Sequence, residues 1–68
     1  MKNKVWECRH VKELTVERLH ELTGISASAI TRIENGETND ILLSHAVALA
    51  HALQTDLYEL FCIPKIFR

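Results

Sequence analysis

One glycine constrains this chain more than any other residue. Gly24 stands alone between two short segments that each carry apolar residues at helical spacing. Before it, Leu19 and Leu22 are three apart; after it, Ile30 and Ile33 repeat that interval. Thr15 and Ser26 open the two segments, and their hydroxyls can accept from backbone N–H groups two or three residues on. Both therefore read as helix N-caps. Glycine enters the left-handed region without a steric penalty, so Gly24 reads as the end of the first helix. Asn35-Gly36 is a second stop signal. Residues 14–36 are thus expected to form helix, tight turn, helix, with Ile25 plugging the turn. Such a unit carries its second helix, about residues 26–35, proud of the body, where it can lie in a DNA major groove. On that helix Ala27, Ser28, Thr31 and Arg32 lie off the apolar stripe and are small or polar.

The flanks read as helices too. A first helix is expected over about residues 3–12, with Val5 and Cys8 inward and Trp6 beside that stripe. A fourth covers about 42–53, where Leu42, Ala46, Leu49, Ala50 and Leu53 recur at helical spacing. Asp56 caps a short fifth helix running through Phe61, and Pro64 stops any continuation. The fold class is therefore all-α, a five-helix bundle with no strand. Its 68 residues suit one domain, 1–68, with a core over about 3–61 and a tail over 62–68. That leaves no room for a separate ligand-sensing domain. The N-terminus lacks the apolar core of a signal peptide, and no apolar run nears the roughly 18 residues of a membrane span, so a cytoplasmic protein is expected.

Chemistry other than binding finds little support. The four histidines, His10, His20, His45 and His51, form no metal-ligand spacing, and Cys8 and Cys62 lie far apart. Glu13, Glu17 and Glu21 repeat every four residues, as a solvated helix face does. No nucleophile–base–orienter set and no phosphate-cradling glycine loop is present, so neither an enzyme nor a cofactor is expected. The net charge is −1, low for a DNA binder, because phosphate contact supplies much of the affinity. The charge is uneven: residues 1–35 hold six Lys/Arg and five acids, residues 36–68 two and four.

The stretch Leu14-Thr15, Leu19, Gly24-Ile25-Ser26, Ile30, Arg32-Ile33-Glu34-Asn35-Gly36 resembles the Cro/C1-type, lambda-repressor-like (XRE) helix-turn-helix family. Leu49 to Leu53 and Leu57 to Phe61 resemble that family's fourth and fifth helices, so the likeness spans about residues 3–61. The resemblance implies a transcriptional regulator that contacts double-stranded DNA. It implies base contacts from Ala27, Ser28, Thr31 and Arg32. Arg32 is the candidate for a bidentate guanine contact, which contributes roughly 1–3 kcal/mol of discrimination. It implies phosphate contacts from Thr15, Val16, Ser26, Asn35, Thr38 and Asn39, partly through backbone N–H groups at helix N-termini. It also implies a partly buried ion pair between Arg9 and Glu34 that holds the recognition helix.

Three positions depart from the family pattern. Val16 replaces a usual Gln and cannot bond phosphate through its side chain. His20 replaces a usual Ala, which is expected to loosen helix packing there. Glu37 stands where a base is common and repels phosphate.

Leu57, Leu60, Phe61, Ile63, Ile66 and Phe67 form an apolar C-terminal cluster. It either closes the core or serves as a homodimer interface, which would set two recognition helices one DNA turn (~34 Å) apart. The leading reading is a repressor acting as a homodimer on a palindromic operator. The alternatives are a protein-interaction module and an antitoxin-like protein on the same fold.

Overall fold

In the computed structural model, which describes residues 1–64, the chain forms five helices and, among the described residues, no strand. They are α1 (Val5–Val11), α2 (Val16–Thr23), α3 (Ala27–Glu34), α4 (Leu43–Ala52) and α5 (Leu57–Leu60). Three start under a side-chain cap: Thr15 accepts from Arg18 N–H, Ser26 from Ala29 N–H and Asp56 from Glu59 N–H. Each replaces an acceptor that a helix start otherwise lacks.

The helix ends follow two designs. Gly24 ends α2 at φ 76°, and its N–H donates to His20 O at 2.8 Å. A Cβ there would meet nothing within 4 Å, so the demand for glycine is conformational and not one of space. The other helices end one residue later in a doubly bonded loop. After α1, Glu13 N–H donates to His10 O and Leu14 N–H to Arg9 O, both at 3.0 Å. Gln54 and Cys62 repeat this after α4 and α5, and Gly36 after α3. Glu13, Gln54 and Cys62 thereby take φ between 52° and 56°, strained for residues with a Cβ.

Each helix contributes to one core. Val5, Leu19, Ile25, Ile30, Ile33, Ala46, Leu49, Ala50, Leu53, Leu60 and Phe61 are buried together. Fully burying a Leu or Ile side chain contributes roughly 1.5–3 kcal/mol, the main support for a domain this small.

Several expectations change. Leu22 is 47% exposed, because it lies in the last turn of α2, about 60° round the helix from Leu19. Leu42 is 64% exposed, because it is the extended residue before α4 and falls off that helix's inner stripe. Leu60 and Phe61 are withdrawn from the expected interface: α5 turns both into the chain's own core, where they are 0% and 4% exposed. Leu57 is partly buried against that core and Ile63 is exposed. Ile66 and Phe67 lie outside the described residues.

Candidate nucleic-acid interface

α3 spans eight residues, about 12 Å of helix, and buries one stripe. Ile30 and Ile33 point into the core, while Ser28, Thr31 and Arg32 are exposed and Ala27 is half-exposed. The four residues expected to read bases therefore share the outward side of one helix. They differ in what each has left to offer. Thr31 Oγ1 donates back to Ala27 O at 3.1 Å, leaving outward only its acceptor capacity. Ser28 Oγ lies 3.4 Å from Ser26 Oγ and can still donate or accept. The Arg32 side chain is exposed, and its guanidinium has no hydrogen-bond or ion-pair partner among the described residues. It borders a shallow groove with Thr38, Asp40, Leu42 and His45.

Residues expected on phosphate bracket this face. Thr15 and Ser26 each accept one capping bond, so each hydroxyl keeps its O–H donor for an anion beside the helix N-terminus that it opens. At the start of α2 the N–H groups of Val16 and Glu17 have no intrahelical acceptor. Val16 can thus serve only through its backbone, and its side chain packs on the core. Beyond α3, Asn35 Nδ2 donates to Glu37 Oε2 at 3.2 Å, which turns that carboxylate toward a neighbour. Thr38 is half-buried and Asn39 exposed. Nearby Arg18 pairs with Glu21 at 3.1 Å on the surface, an i,i+3 contact of little energetic weight.

What holds α3 in place is more elaborate than its outward side. Arg9 Nε donates to Glu34 Oε2 at 2.7 Å and Nη2 to Glu34 Oε1 at 3.1 Å, a bidentate pair with both side chains at most 10% exposed. Arg9 Nη1 also donates to Leu14 O at 2.9 Å, so one guanidinium joins α1, the loop before α2, and the end of α3. The Glu34 hydrogen bond raises the Arg9 pKa above the ordinary guanidinium value, against the opposing effect of burial. A second tie comes from Asn3. Its Nδ2 donates to Ile33 O at 2.8 Å while its Oδ1 accepts from Val5 N–H at 3.0 Å. Sequence reasoning missed this residue. Asn before a helix signals a cap, but nothing local signals a bond to a carbonyl thirty residues away.

Beyond the packing change expected of it, the half-buried ring of His20 ties α2 to the turn: Nδ1 lies 2.7 Å from Ile25 O and bonds it. Among the described residues no set of three or more His, Cys, Asp or Glu is arranged to hold a metal ion. No helix of the described chain is long and apolar enough to cross a membrane.

Two short helices joined by a left-handed glycine, the second braced from behind and polar in front, define the helix-turn-helix class of DNA-binding domain. A family model for the Cro/C1-type HTH DNA-binding domain matches residues 4–65, nearly the whole chain, and the protein belongs to this family. No curated protein and no solved structure matches the chain.

Proposed function

We propose that this protein is a sequence-specific transcriptional regulator, a cytoplasmic repressor that binds a palindromic operator as a homodimer with α3 in the major groove. The 68 residues act as one domain. The observation that carries this reading is the outward side of α3. Ser28 and Arg32, the latter without a polar partner among the described residues, stand one helical turn apart on a helix whose back is fixed by Arg9, Asn3 and the core. Arg32 reads a guanine, Ser28 an adjacent base edge, and Ala27 a thymine methyl. The first-turn N–H groups of α2, with Asn35, Thr38 and Asn39, meet phosphates and set the register.

The homodimer is supported by a second surface. Leu42, Leu43 and Val47 are 64%, 73% and 51% exposed. Leu43, Val47, Ala48 and His51 line one shallow groove on α4, and Val47 and His51 continue into another that reaches Leu57. Residues 41–55 contain no Lys, Arg, Asp or Glu, so this face is suited to a second neutral, apolar face and not to a charged partner. The proposed contact therefore centres on α4, with Leu57 and Ile63 at its edge.

Selection of bound sequences from random DNA, followed by affinity measurement across salt, tests the reading. An enriched motif with two-fold symmetry is expected, and log affinity should fall linearly with log salt, by about 0.9 per phosphate neutralised. If no sequence is enriched, or if binding is indifferent to salt, the protein-interaction reading replaces this one.

A further inference from the structure

Ile25 is the residue around which α2 turns into α3. It is 2% exposed, and neither its N–H nor its C=O bonds to a backbone group among the described residues. Both are bonded by side chains of α2. Thr23 Oγ1 accepts from Ile25 N–H at 3.1 Å while donating to Leu19 O at 2.8 Å. His20 Nδ1 meets Ile25 O at 2.7 Å. A carbonyl only accepts, so the proton of that bond resides on Nδ1 and Nε2 is bare in the neutral ring.

We infer that His20 and Thr23 are positioning residues for DNA recognition: they grip Ile25 from both sides and set the angle at which α3 leaves α2. The inference rests on the DNA-binding reading above and adds to it a device in the turn. Ser26, the cap of α3, follows Ile25 directly, so rotation of the Ile25 peptide redirects the whole first turn, Ala27 and Ser28 included. Base readout depends on that direction to within a fraction of an ångström, whereas phosphate contact tolerates more. Loss of the grip therefore lowers affinity for the selected site more than affinity for unrelated DNA.

The test compares affinity for the selected duplex and for a scrambled duplex at one salt concentration, in wild type, His20→Ala, His20→Asn and Thr23→Val. Asparagine places an amide N–H close to where Nδ1 stands. His20→Ala and Thr23→Val are each expected to cut the ratio of specific to scrambled affinity at least fivefold. His20→Asn should stay within twofold of wild type. A two-bond 1H–15N spectrum of the free protein should find the neutral His20 proton on Nδ1. Should His20→Ala fail to fold by circular dichroism, Thr23→Val and the tautomer decide. Ratios within twofold of wild type for His20→Ala or Thr23→Val, or a proton on Nε2 with Nδ1 bare, overturn the inference while leaving DNA binding intact. A wild-type protein that cannot tell the two duplexes apart overturns the DNA reading, and the positioning role with it.

Discussion

α3 and α4 bury similar stripes but present opposite outer faces. α3 sends Ile30 and Ile33 inward and shows Ser28, Thr31 and Arg32 to water. α4 sends Ala46, Leu49, Ala50 and Leu53 inward and shows Leu43 and Val47 to water as well. Their starts differ in the same sense. Ser26 caps α3 through its side chain, whereas Leu42 leaves α4 without a side-chain cap. Leu43 and Val47 leave apolar area in water that the chain does not bury, so the apolar exterior of α4 fits a contact surface, as the polar exterior of α3 fits base edges. On the proposed reading the two faces divide the work: α3 would meet a wet, hydrogen-bonding partner, and α4 a dry one.

The division breaks first at the brace behind α3. Glu34→Ala leaves the Arg9 guanidinium buried without its carboxylate, and loss of one partner of such a pair costs about 3–5 kcal/mol. In a domain this small that approaches the whole stability, so urea unfolding should show a largely unfolded protein in water. An unfolding midpoint near wild type would mean that the pair contributes nothing. Raising pH does not reproduce the effect. The raised Arg9 pKa keeps the guanidinium charged, and the stability it lends is lost only as pH climbs through that value, beyond the usable range.

The faces themselves come next. Arg32→Ala should keep the unfolding midpoint and lose about 1–3 kcal/mol of preference at one base per half-site, read by mobility shift with single-base variants. Identical preference would remove Arg32 from the readers. Leu43→Asp combined with Val47→Asp should weaken self-association more than tenfold, about 1.4 kcal/mol, in sedimentation equilibrium, with half-site affinity unchanged. An unaltered mass distribution would return the interface to the C-terminal residues. The smallest effect lies in neither face. Glu13→Gly relieves a left-handed residue after α1 and should raise stability by about 0.5–1 kcal/mol in thermal melts. A drop would mean that the loop after α1 is not strained.

Local chemistry made much of this legible. Thr15, Gly24, Ser26 and Asp56 act through groups a few residues away, so their roles follow from identity and spacing. Five helices and the inward residues of α3 follow from periodicity. The fate of an apolar residue at a helix edge was less legible. Leu22, Leu42, Leu60 and Phe61 share one chemistry, yet two are exposed and two buried, because tertiary approach decides and the period does not encode it. Asn3 and His20 were opaque for a related reason: each bonds a carbonyl whose position depends on how two segments meet. The Arg9–Glu34 pair, whose partners lie 25 residues apart, was accessible only through family resemblance.

The claim on which the rest turns is that the exposed side of α3 is what touches DNA. Backbone amide shifts of the labelled protein, recorded with and without its selected duplex, address it directly. The largest changes are predicted at residues 27–32, with a second set at the start of α2 around Val16 and Glu17. Changes concentrated on Leu43 and Val47, with α3 unmoved, would contradict it.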